Sequence, residues 1–251
     1  MTESNPILRT EDLTCRFGGL TAVDTVSFTM PQGQILGLIG PNGAGKTTLF
    51  NMLVGLQPPT SGTIQLEGQN IVGAKPHKVC ALGMTKTFQN GAIFPESSVL
   101  DNVLTGALLR HDLGQARVVA ERMLARAGMD AIAGKKAGDL SFPERARVEV
   151  ARALCTEPKI VLLDEVMAAL NAVEMADFMA FVRQLRDEGL TIICVEHHMK
   201  AIMSLCDRIL VLNFGKLIAD GSPSEIAHDP AVVEAYLGKP YAEAKAEEAS
   251  A

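Results

Sequence analysis

"GPNGAGKTT", residues 40–48, is the stretch on which the reading of this chain turns. It follows the apolar run "ILGLIG" (35–40), which reads as a buried strand, and it opens a helix. Gly40, Gly45, Lys46 and Thr47 fit the pattern G-x-x-x-x-G-K-[ST]. Glycines let such a loop fold so that successive backbone N–H groups converge on phosphate oxygens. The helix beginning near Lys46 adds its positive N-terminal end. The Lys46 ammonium can reach β- and γ-phosphates, and the Thr47 hydroxyl can ligate Mg²⁺. Pro41, Asn42, Gly43, Ala44 and Thr48 complete the stretch expected to hold the phosphates.

Two further apolar runs resemble the one before the loop. "IVLLDE" (160–165) and "TIICVEH" (191–197) read as buried parallel strands, each followed by a helical pattern. Strands alternating with helices indicate an α/β fold with a mostly parallel sheet. The N-terminal part differs: "ILRTEDLTCRF", "VSFTMPQGQ" and "GTIQLEGQNI" predict an antiparallel β patch. From about Leu100 to Gly138 the strand patterns stop. "DNVLTGALLR" and "ARVVAERMLARAG" have helical periodicity and predict a helical insertion. "RILVLNFGKLIADG" reads as two strands around a tight turn at Asn213–Lys216.

Acidic groups follow the strands. Asp164 ends its run, where it can hold Mg²⁺ directly or through water, and Glu165 is a candidate general base for an attacking water. His197 ends the third run and could donate a hydrogen bond to a γ-phosphate, though adjacent His198 leaves the choice open on chemistry alone.

The 251 residues suffice for a buried core. A formal net charge of −6 argues against an overall basic field for nucleic acid. Cys15, Cys80, Cys155, Cys194 and Cys206 are scattered without CxxC spacing and read as reduced core thiols of a cytosolic protein. The polar start "MTESNPILRTEDL" does not read as a signal peptide, and no apolar run approaches the ~20 residues needed to span a bilayer. Work at a membrane would need a partner. The Ala/Glu-rich segment 241–251 reads as a flexible tail.

In order along the chain stand the phosphate loop, "TFQN" with Gln89, "LSFPE" (140–144), "IVLLDE", "AALN" and "VEHH". With this order the chain resembles the ATP-binding subunits of ABC transporters over about residues 1–240. "RFGGLTAVDTVSF", "TFQNGAIFPESSVLDNV", "VEHHMKAIM" and "PAVVEAYLG" resemble most the importers of branched-chain and other hydrophobic amino acids. The resemblance implies a P-loop ATPase core with a helical subdomain at about 90–156. It implies that adenine stacks on Phe17 with Val23 beside it, and that Gln89 contacts Mg²⁺ and the water. It makes Glu165 the residue that polarises the water and His197 the switch histidine. Ala169, Leu170 and Asn171 form the D-loop, and the region around 80–110 receives a membrane subunit. Such subunits pair head to tail, so that Ser141, Phe142, Pro143 and Glu144 would face the partner's ATP. The implied partners are a second ATPase subunit, permease subunits and, indirectly, an extracytoplasmic binding protein. The implied place is the cytoplasmic face of the membrane. Lipid or polysaccharide export, and a soluble ABC protein without transport, are the alternatives.

The signature segment departs from the family pattern, which has glycines at 142 and 143 and glutamine at 144. Pro143 has no N–H to offer a phosphate, and Glu144 adds negative charge. Milder departures are Val166, Ala169 and Asn171. As a peptide, Ser141 and Glu144 have capping-box spacing. Pro143 disfavours helical geometry at Phe142, which predicts that Phe142 becomes the N-cap and the capping box is lost.

Overall fold

A computed structural model describes residues 5–87 and 93–237. The chain falls into two compact units, one formed by the chain up to Gly73 and again from Ile202, the other by Ala74–Ala201. The elements run β1 (Leu8–Phe17), β2 (Leu20–Met30), β3 (Ile35–Ile39), α1 (Lys46–Leu53), β4 (Ser61–Leu66) and β5 (Gln69–Asn70). The second unit continues with α2 (Pro76–Leu82), β6 (Met84–Lys86), α3 (Val99–Ala107), α4 (Leu113–Arg126), α5 (Phe142–Leu154), β7 (Ile160–Asp164), α6 (Ala172–Asp187) and β8 (Thr191–Val195). Then come α7 (Met199–Leu205), β9 (Arg208–Asn213), β10 (Lys216–Gly221), α8 (Pro223–His228) and α9 (Pro230–Leu237).

The first unit holds the expected antiparallel patch, a sheet in the order β2-β1-β4-β5. Its strands alternate buried and open positions, as in β2, so one face is packed and the other is not. In the same unit β3 pairs in parallel with β9, through Leu36↔Arg208 to Ile39↔Val211, and β9 pairs antiparallel with β10. The β9–β10 hairpin closes at the expected place: Asn213 pairs with Lys216, and Phe214 and Gly215 both have positive φ (46° and 79°). That conformation matches the right-handed twist of the strands it joins.

In the second unit β6, β7 and β8 form a parallel set. β7 and β8 are buried at every position, which accounts for their unbroken apolar sequences. The expected helical insertion is present as α3 and α4, followed by short turns at Asp130–Ile132 and Ala137–Asp139. Ser98 caps α3 by accepting the Asp101 N–H at 3.0 Å, and Asp112 caps α4 by accepting that of Gln115 at 2.9 Å. α3 and α5 approach closely at Gly106, where a Cβ would lie 2.1 Å from the Arg152 carbonyl oxygen. All five cysteines are free thiols, and all but Cys80 are buried. Burial pushes the Cys155 thiol up to about 12, so it stays protonated and inert. No helix among the described residues is long and apolar enough to cross a membrane.

Candidate active site

The phosphate loop lies in the first unit, where β3 ends and α1 begins. Gly45 precedes α1 with φ 102°, and a Cβ there would lie 2.3 Å from the Ala22 carbonyl oxygen. Only glycine satisfies both demands. Lys46 is almost fully buried, and its Nζ donates to the carbonyl oxygens of Gly40 (2.7 Å) and Pro41 (3.0 Å). The ammonium is thus folded back over its own loop. Thr47 is exposed and Thr48 partly so. The β9–β10 turn holds the loop from outside: the Gly215 N–H donates to Ala44 O (3.0 Å), while Gly215 O accepts from Asp24 N (2.8 Å).

Phe17, at the end of β1, is 48% exposed, so it is not a core aromatic. Val23 is fully buried, and its Cγ2 would lie 3.4 Å from a Cβ at Gly45, which makes it a support under the loop. A cleft of about 470 Å³ is lined by Asn42, Gly43, Phe214, Ala231 and Glu234, so α9 flanks the loop. Burial of the Tyr236 hydroxyl raises its pKa, and the nearby Gly40 N–H opposes the rise. Sequence reading gave α9 no part in this group.

The acidic and histidine residues gather in the second unit. Asp164 ends β7 with 3% exposure; its N–H donates to Thr87 Oγ1 (3.1 Å) and its Oδ2 pairs with the Lys86 ammonium at 2.8 Å. Glu165 follows with φ 54°, a sparsely populated conformation for a residue with a side chain. Its Oε1 lies 2.8 Å from His197 Nε2, a hydrogen bond in the tautomer that carries the proton there. His197, not His198, therefore meets the acidic group. Glu196 is 2% exposed and accepts the Met167 N–H at 2.8 Å. Burial, with Glu165 and Asp164 nearby, pushes its carboxyl up to about 7, although the Met167 N–H opposes this.

Lys86 and Glu196 were missed in the sequence. Lys86 stood in a segment without a strand pattern, and Glu196 was overshadowed by the two histidines after it.

Ala169 and Leu170 line a cleft of about 170 Å³ with Phe142, Arg145, Asp164 and Glu165. This brings two residues of the expected D-loop and one of the signature, Phe142, to the acidic pair. Asn171 caps α6, its Oδ1 accepting from Val173 N and Glu174 N at 3.0 Å. Gln89 lies outside the described residues.

The expected cap at Phe142 is not found. Ser141 is the N-cap, extended at φ −65° and ψ 163°, and Phe142 opens α5 in a capping box. The reason is Glu144. Its Oε2 accepts both the Ser141 N–H (2.7 Å) and the Ser141 hydroxyl (2.9 Å), and Lys135 approaches it at 3.4 Å. These bonds outweigh the pre-proline preference of Phe142, and Pro143 falls in the first turn, where an N–H has no helical partner. Arg145 secures the approach by donating to Leu140 O and Gly138 O, each at 3.0 Å. The Ser141 N–H is the main cause that holds the Glu144 carboxyl below the usual carboxylate range.

Mg²⁺ takes oxygen ligands and commonly keeps waters and nucleotide phosphates; taken separately, the first unit offers the hydroxyl of exposed Thr47 and the second the Asp164 carboxylate, each an oxygen donor of that kind. Among the described residues no group of three or more His, Cys, Asp or Glu could hold a metal without such help.

A family model described as "ABC transporter" matches residues 23–168, and one described as "Branched-chain amino acid ATP-binding cassette transporter" matches residues 216–242. The high-affinity branched-chain amino acid transport ATP-binding protein BraF of Pseudomonas aeruginosa is 39% identical, over 94% of this chain and 99% of its own. LivG of Escherichia coli, named for the same transport, is 38% identical over the same shares. The lipopolysaccharide export ATP-binding protein LptB of E. coli is 35% identical, over 93% of this chain and 98% of its own. Among solved structures, an ATP-binding cassette of an ABC transporter in its ADP conformation superposes with a TM-score of 0.86 at 30% identity, over 94% of this chain and all of its own. With a glycine-lysine loop bent for phosphate in one unit and an Asp-Glu-His group in the other, the chain belongs to the ABC transporter family as one of its ATP-binding cassettes.

Proposed function

We propose that this chain is the ATP-hydrolysing subunit that powers a membrane importer of branched-chain or other hydrophobic amino acids, or of related small solutes. The observation that carries the ATPase reading is the 2.8 Å contact between Glu165 and His197 beside buried Asp164. Residues 40–48 bind the phosphates, and adenine stacks on exposed Phe17. Thr47, Asp164 and Gln89 would hold Mg²⁺, which when bound would supply charge neutralisation on the phosphates. Glu165 accepts a proton from the attacking water or polarises it, and His197 holds Glu165 and the γ-phosphate in register.

The import reading is supported by BraF, LivG and the match at 216–242; LptB keeps lipid export as the alternative. The partners are a second ATPase subunit, head to tail, and permease subunits at the cytoplasmic face of the membrane. Exposed Phe94 and Leu108 in the helical part, within about 90–156, support a docking face for a permease. A binding protein would deliver the solute from the other side.

A second proposal concerns asymmetry. With Pro143 lacking an N–H and the Glu144 carboxylate held at the start of α5, the ATP site that this segment completes in its partner would be the weaker one.

The test is reconstitution with the permeases and binding protein of a branched-chain amino-acid importer, with labelled leucine uptake and ATPase measured together. ATP-dependent uptake that Lys46→Ala abolishes is expected. Export of lipid, or ATPase activity indifferent to permeases, would overturn the import reading.

A further inference from the structure

The parallel pairing of β7 with β8 ends at Asp164↔Val195, and one more backbone bond, Glu165 N–H to Val195 O at 2.9 Å, follows it. Glu165 then takes its φ of 54° and the chain turns out of the sheet. From there side chains continue the stitching. Glu165 Oε1 meets His197 Nε2, and Glu196 Oε1 takes the Met167 N–H, each at 2.8 Å. Residues 165, 165 again and 167 are thus bound in turn to 195, 197 and 196.

Met167 is fully buried. The turn it belongs to is bonded within itself: Leu170 N–H donates to Met167 O at 3.1 Å, and Ala168 N–H to Glu165 O at 3.4 Å. An anchor on Met167 therefore fixes the whole of 165–170. Glu196 is an unusual choice for that anchor. A buried acceptor could be an amide or hydroxyl, whereas its Oε2 finds no hydrogen-bond partner among the described residues. Such a buried polar atom is costly, so the Met167 bond made by the other oxygen is what the side chain contributes here.

We propose that Glu196 is a positioning residue for ATP hydrolysis: its acceptor locks the 165–170 turn and so sets Glu165 against His197. This rests on the reading of Glu165 and His197 as the groups that act at the hydrolysed phosphate. Glu196 itself touches neither nucleotide nor water in this scheme.

The experiment uses the full chain, with ATP hydrolysis measured at high protein concentration. Glu196→Met keeps length and removes the acceptor; Glu196→Gln keeps a carbonyl oxygen for Met167. Expected are a fall in kcat of roughly tenfold or more for Glu196→Met with the KM for ATP within about twofold, and recovery to within about threefold of wild type for Glu196→Gln, the loss being of a contact that acts on the chemical step. Glu165→Gln and His197→Ala are measured beside them. If both slow hydrolysis and Glu196→Met does not, or if Glu196→Gln is as slow as Glu196→Met, the positioning role is wrong. If neither control slows hydrolysis, the reading of the site is wrong and the positioning role falls with it. Should Glu196→Met fail to fold, amide exchange at Met167 in the wild type decides: protection supports the anchor, and exchange at the rate of an open amide overturns it.

Discussion

Replacing Glu196 by glutamine should change how stability depends on pH. The Glu196 carboxyl has an ordinary pKa of 4.5 and is pushed up to about 7 in the folded chain. Between these values the folded state holds a proton that the unfolded state has released. Stability from this group is therefore whole below pH 4.5 and is lost as pH rises through 7. A rise of about 2.5 units at 1.36 kcal/mol each makes the loss about 3 kcal/mol. Glutamine cannot titrate, so the variant lacks this loss; carboxylates remote from Glu196 contribute alike to both proteins, while the repulsion from Glu165 and Asp164 is part of the difference measured. Urea unfolding of the two proteins at pH 4.5 and pH 8 measures the difference. The variant should gain about 3 kcal/mol on the wild type over that interval, or about 1 M in midpoint for an m-value near 3 kcal/mol/M. A gain below about 0.5 kcal/mol, the ordinary scatter of independent sites, would refute the assigned cause: the carboxyl would not be desolvated in the folded chain.

Two further changes test the start of α5. Glu144→Ala removes the acceptor for the Ser141 N–H and hydroxyl and should cost about 1 kcal/mol at pH 7 by thermal melting. Because the folded carboxyl is held low, its contribution is present above the ordinary carboxylate range and lost as pH falls through the lowered value. The gap between wild type and variant should therefore close in acid, and a gap independent of pH would count against the capping box. Pro143→Gly restores a backbone donor. In the assembled transporter it should raise turnover several-fold at the partner's site, and unchanged affinity and turnover there would end the proposal of asymmetry.

The phosphate loop could be read directly because its requirements are local: glycines and a lysine at fixed spacing carry the geometry within nine residues. Asp164 and Glu165 were legible for the same reason, at the end of an apolar run. The start of α5 was misread although every residue was in view, because two local rules opposed each other and only the geometry of the Glu144 carboxylate decided between them. Lys86 and Glu196 were not legible. Each meets its partner through strand register, Lys86↔Leu162 and Asp164↔Val195, between segments 78 and 29 residues apart for the bonds concerned. Periodicity reveals that a strand is buried but not which residue of another strand lies beside its end. Tyr236 escaped notice likewise, since nothing near it in sequence resembles a phosphate site.

The phosphate loop has a consequence for how the chain is made. Its strand, β3, pairs with β9, and Ile35 N–H donates to Asp207 across 172 residues. The turn that clasps the loop, at Gly215, comes later still. At ribosomal speeds of about 5–20 residues per second, roughly 10–35 seconds separate synthesis of the loop from synthesis of these supports. The intervening unit, Ala74–Ala201, is synthesised in the meantime. A nascent chain thus carries the sequence for nucleotide binding long before it carries the pairings that hold it, and competence to bind ATP should arrive only after the segment through Gly215 has been made.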